Sequence, residues 1–247
     1  MKVRGYVVEP GANLREAFLY KGDFRRADLN KADLYRADLS EAQLKWTNLE
    51  DANLRQAKLI AVDLRYAKLC RADLSGADLM EARLIRAELN EARLSSANLQ
   101  WGDLRSADLT AADLSQADLS RSHLQRANFR GANLRQAVLS NVNLIEVDLR
   151  DADLSEADLS GSDLKWANLE GAQLNGTNMT ATRLSGASLR YADLRGANFG
   201  GAYFRGTQLV GADLREANFH NAFISDGQLF RARRLSRAIL PDGTVHG

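Results

Sequence analysis

The chain has 247 residues, a formal net charge of +1, 26% charged residues and only 7% aromatics. Near neutrality argues against a strongly acidic DNA mimic and equally against a generic nucleic-acid binder. Cys70 stands alone, so no intrachain disulfide can form. Together with the lack of any stretch near the roughly 18–20 apolar residues of a membrane helix, this gives the expectation of a soluble, cytoplasmic protein.

Residues 1–11 carry Val3, Tyr6, Val7 and Val8 ahead of Pro10. They are expected to form a short strand that covers the first layer of whatever follows, with no apolar run of leader length. From residue 12 the chain becomes periodic. Leu14, Leu19, Phe24, Leu29 and their successors recur every fifth residue to Leu229, making 44 repeats, of which 37 have Leu at the centre. Two residues earlier, from Ala12 to Gly227, stands a small residue that is Ala in 32 repeats and never larger than Val.

A period of five fits neither regular element. On an α-helix each step advances about 140° and smears the leucines around the axis. On a straight strand each step changes face and puts half of them in water. Within a repeat, however, the small residue and the leucine lie two apart and point the same way when extended. The chain must therefore bend after every repeat, and repeated bending in one sense makes stacked coils whose backbones pair in parallel. Both prolines, Pro10 and Pro241, lie outside the repeats, as a hydrogen-bonded ladder requires. The late glycines at the fifth position, among them Gly161, Gly186 and Gly206, are read as corners able to take a positive φ that earlier corners do not take. After Leu229 the register breaks. Arg231 to Arg237, with four arginines, is expected to be a short helix or an irregular last turn, and Pro241-Asp242-Gly243 a closing turn. The expected division is a cap over 1–11, a repeat body over 12–229 and a second cap over 230–247.

Ala27-Asp28-Leu29-Asn30-Lys31 and Ala152-Asp153-Leu154-Ser155-Glu156 resemble the A-(D/N)-L-x-x motif of the pentapeptide-repeat family, and the likeness covers about residues 12 to 229. That resemblance implies an all-β fold: a right-handed quadrilateral parallel β-helix with four repeats per coil. With four, the repeats make about 11 coils and a rod roughly 50 Å long at about 4.8 Å per coil. The C-terminal segment is similar to the closing segment of cyanobacterial members.

Little in the sequence points to catalysis. His123, His220 and His246 are scattered and share no metal-ligand spacing with Cys70, which falls at the outward fourth position. The Asp and Asn residues at the second position are read as backbone partners at the bends. No G-x-S-x-G, phosphate loop or calcium-binding solenoid pattern occurs. The sequons at Asn175 and Asn178 carry no weight in a cytoplasmic protein. The expectation is a protein without catalytic residues, cofactor or metal.

With 20 residues per coil, the outward side chains sort onto four faces. The face of residues 22–26, 42–46, 62–66 and onward sums to +5, nearly all of it in its first six coils, whereas each of the others is weakly negative. Arg25, Lys45, Arg65 and Arg105 stand in one column, interrupted by Ile85. Arg26, Trp46, Tyr66, Arg86 and Arg126 stand in the next. Trp, Tyr and Arg concentrate binding energy at interfaces, which makes this strip the candidate contact for a protein partner. The bland alternative is that long side chains stack and shield the backbone, with Arg over Trp as a local cation–π pair. Leu44-Lys45-Trp46 returns six coils on as Leu164-Lys165-Trp166, a second candidate contact on the same face.

Two other functions compete with an interaction scaffold. The resemblance includes quinolone-resistance members that protect gyrase by imitating B-form DNA, but the basic face opposes that imitation. Weak, salt-sensitive nucleic-acid binding along the strip is the other. Self-association through an end of the rod is left open, and no membrane contact is expected.

Overall fold

The computed structural model describes all residues, 1–247. From Asn13 to Phe223, second-position residues pair in parallel with those 20 residues on, beginning Asn13 with Asp33 and Phe18 with Asp38. Four repeats therefore complete each turn of the chain. No run of pairs is longer than one residue, because the chain turns again before a second can form; the body is a ladder of single bridges and contains no extended strand.

Each corner closes in the same way. The small residue donates its N–H to the carbonyl of the central residue three positions back, as Ala37 does to Leu34 at 2.9 Å. The residue just before the small one has a positive φ, while the one before that does not, which is the type II pattern. This corrects the expectation about the glycines. Glu16, Lys21, Arg26, Trp46 and their counterparts along the whole body stand at φ near +55° to +65°, as Gly131 and Gly196 do. The turn imposes the left-handed conformation on whatever residue occupies the corner.

The core is one continuous cluster. The central leucines and phenylalanines and the small residues beside them are almost all inaccessible to solvent. Where the small residue carries a hydroxyl, that group finds a carbonyl: Thr47 donates to Phe24 O at 2.8 Å and Thr207 to Leu184 O at 2.7 Å. A buried hydroxyl left without a partner would be costly.

The ends are closed differently. At the start, strands β1 (Lys2–Val3) and β2 (Tyr6–Val7) form an antiparallel hairpin turned by Arg4 and Gly5, both at positive φ as a tight two-residue hairpin loop requires. Val3 and Val8 drop into the core beneath it. At the other end the expectation needs correcting: Gly227-Gln228-Leu229, which matches the repeat spacing, is not a repeat. It lies within a four-residue helix, α1 (Asp226–Leu229), preceded by Ser225. Pairing then resumes one residue out of step, with Asp213 beside Arg234 and Asn218 beside Ile239. The helix is therefore not at Arg231 to Arg237, which forms the irregular turn. The chain ends in a turn at Leu240–Thr244, where Gly243 has φ +86° and Val245 pairs antiparallel to Ile239.

Candidate partner-binding face

The second-position acids act as the spacing suggests. Asp23 Oδ1 accepts the N–H of Arg25, and Asp38 that of Ser40, at 3.1 and 3.0 Å. Such Asx turns hold the corner from outside while the leucine holds it from within. Where the residue two positions on is arginine, the same carboxylate also binds its guanidinium in a fork: Arg25 on Asp23, Arg65 on Asp63 and Arg105 on Asp103, with N–O distances of 2.6 to 2.9 Å.

This separates the two columns of the strip. Arg25, Arg65 and Arg105 are each folded back onto an acid of their own repeat, so most of their charge is spent locally. The Arg25 pair holds the Asp23 carboxyl below its usual range. Burial raises Asp63 and Asp103, but pairing with Arg65 and Arg105 outweighs it and leaves both lowered. Arg126 reaches along its column to Glu146 at 2.8 Å. Arg26, Lys45 and Arg86 have no ion pair.

Between these cations the aromatics meet as the 20-residue coil predicts. Trp46 and Tyr66 stack with ring centroids 4.2 Å apart and planes 8° from parallel. Lys45, and not an arginine, is the cation over them, with Nζ 5.9 Å from the Trp46 ring and 5.5 Å from Tyr66. Half of Trp46 remains exposed. Four coils of the strip thus present a flat aromatic step flanked by cations with no acid to hold them.

Beyond Tyr66 the same face sinks. Ser106 is the one short side chain between Arg86 and Arg126, and with Ile85 and Gln125 it floors a shallow depression of about 630 Å³. The sequence showed Ile85 only as a break in a basic column; the hollow depends on how long neighbours splay around a short one. A second hollow lies against the N-terminal hairpin, where Lys2 joins Arg26, Lys45 and Trp46.

The copy of Leu-Lys-Trp six coils on is built differently. Lys165 pairs with Asp163 at 3.1 Å, and Trp166 lies over the backbone of Gly186, where a Cβ would meet the ring at 2.4 Å. Its column holds no second aromatic one coil on, so the two sites share a motif and not an arrangement. Trp101, at another corner, carries Arg121 4.9 Å from its ring centroid. Cys70 stands at the outward fourth position, outside the core, but is covered there: it is 6% exposed, with Sγ 2.8 Å from Asn90 Oδ1 on the next coil, and burial pushes its thiol up. Tyr203 and Phe223 form a further exposed stack, 4.5 Å between centroids, at second positions.

No helix of the structure is long and apolar enough to cross a membrane. Against known proteins, the model of the pentapeptide repeats matches in eight copies that together span residues 11–233. Among solved structures the chain is similar to HetL, a pentapeptide-repeat protein involved in heterocyst differentiation regulation from the cyanobacterium Nostoc sp. strain PCC 7120. The two share 33% identity over 89% of this chain and 91% of that one, with a TM-score of 0.76. QnrB1, a plasmid-mediated fluoroquinolone resistance protein, matches at 18% identity over 72% of this chain and 80% of its own, with a TM-score of 0.47. No curated protein matches. The likeness to HetL carries the hand of the coil as well as its class, an all-β right-handed β-helix. With its period, its corners and that likeness taken together, the chain belongs to the pentapeptide-repeat family.

Proposed function

We propose that this protein is a non-enzymatic interaction rod, four-sided and of about eleven coils, that docks a protein partner on the strip formed by Arg26, Lys45, Trp46, Tyr66 and Arg86. Arg25, Arg65, Arg105 and Arg126 act as its rim. The observation that carries this reading is the exposed Trp46–Tyr66 stack with Lys45 over it and no acid paired with that lysine. The cations on either side of the step stand unpaired and open to a partner's acids, whereas Arg25, Arg65 and Arg105 nearby are neutralised. The likeness to HetL suits a regulatory scaffold, and the single buried thiol suits a reducing cytoplasm.

The test is an affinity pull-down from the source organism's lysate with wild type and with K45E/W46A/R65E/Y66A, both first shown folded by circular dichroism. A protein retained by the wild type and lost by the variant is the expected outcome. Equal recovery of the same proteins by both sinks the reading.

A further inference from the structure

The depression beyond Tyr66 has features that a merely basic surface lacks. Arg86 is unpaired, and Arg126 meets Glu146 through Nε alone. The two stand two coils apart, about 10 Å along the rod, with only Ser106 between them. Ile85 and Ile145 make the walls apolar.

We propose that this depression seats an acidic side chain of an extended segment of the partner protein. Its carboxylate lies above Ser106 between Arg86 and Arg126, and a neighbouring aliphatic side chain packs on Ile85. The chemistry favours a single carboxylate of a peptide over a nucleic acid: Glu146 at the edge opposes the many charges of a polyanion more strongly than the one charge of a carboxylate. One carboxylate matches one unpaired guanidinium, and a charge-assisted bond is the strong kind of contact. This seat rests on the strip being the docking face but is a separate locus on it.

The experiment pans phage-displayed random 12-residue peptides on the full chain, then measures the selected peptides and a labelled oligo-dT strand by fluorescence anisotropy. Wild type is compared with Arg86→Gln, Ser106→Arg and Trp46→Ala/Tyr66→Ala, each checked by circular dichroism. Ser106→Arg is expected to fold, because Arg already occupies the same corner one coil away on either side. The expected result is peptides with Asp or Glu next to an aliphatic residue. They should bind at least about tenfold more weakly to both Arg86→Gln and Ser106→Arg, the loss of roughly one charge-assisted hydrogen bond. Peptides indifferent to both changes but lost by Trp46→Ala/Tyr66→Ala overturn the seat and leave the strip standing. Peptides indifferent to all three variants, or no peptide selected, overturn both. An oligo-dT strand that binds more tightly than the peptides, with the same sensitivity, overturns the choice of partner.

Discussion

Every corner residue of this rod sits in the left-handed region, which L-residues enter at a cost of roughly 1–2 kcal/mol. Glycine there avoids the steric cost but loses about 0.5–1 kcal/mol of chain entropy on folding. Ala111, at φ +55°, and Gly131, at φ +65° with nothing within 4 Å of a built Cβ, make a clean pair. Ala111→Gly is expected to stabilise the chain by about 0.5–1 kcal/mol and Gly131→Ala to destabilise it by a similar amount. Urea midpoints of the two variants measure this; the opposite order would mean the corners are not strained. The late glycines also have local reasons. Gly186 lies under Trp166 and Gly211 under Tyr191, so a side chain at either would push the ring away.

At the scale of one repeat, the acid at the second position joins three jobs. It bridges to the next coil, receives the N–H two residues on, and in many repeats holds an arginine. Asp148, Asp193 and Asp213 are held low chiefly by hydrogen bonds from Arg150, Arg195 and Arg215, as Asp23 is by Arg25. A carboxyl lowered in the folded state stabilises the fold above its unfolded value, about 3.9, and loses that contribution as pH falls through its folded value. The urea midpoint should therefore stay level from pH 5 to 8 and drop below about pH 4, with Arg150→Gln and Arg215→Gln flattening the drop. A midpoint as high at pH 3 as at pH 7 would show that these pairs are ornaments of the surface.

The whole rod is stabilised between neighbours, since each coil buries its leucines only against the coils above and below. Ala92 is completely buried, and Ala92→Trp has no space to occupy. It should cost at least about 3 kcal/mol and open the chain locally. Hydrogen exchange is the check: protection should fall in the coils next to residue 92 and persist near both ends. Uniform loss would mean the rod unfolds as one unit. The two caps protect the terminal coils in different ways. The hairpin drops Val3 and Val8 onto the first coil, whereas Gln228 Nε2 donates at 3.1 Å to Thr207 O, a carbonyl that the next coil would otherwise pair, and at 2.6 Å to Phe204 O, which already accepts the Thr207 N–H.

The coil, its core and the membership of each face were legible in the sequence. An apolar residue every fifth position beside a small one admits only one way to bury both, and the 20-residue pairing then sets Trp46 on Tyr66. What a face does with its charges was not legible. Whether an arginine at the fourth position folds back onto its own repeat, as Arg65 does, depends on an acid two residues earlier, here Asp63; a corner arginine has the central residue there, and it stands free, as Arg86 does, or pairs along its column, as Arg126 does with Glu146. That much was present in the spacing and could have been read from it. The left-handed corners, the burial of Cys70 against Asn90 and the hollow at Ser106 could not. The corners take their φ from turns closed three residues apart, whereas the other two arise where stacked coils meet, through contacts about 20 residues apart that no local pattern encodes. Gly227-Gln228-Leu229 marks the boundary between the two kinds of knowledge. Its spacing fits a repeat, yet Ser225 with Gln228 three residues on is a capping pair, and Gln228 Oε1 accepts the Ser225 N–H at 3.2 Å. With no coil above to pair its backbone, the segment satisfied its own hydrogen bonds and became helix.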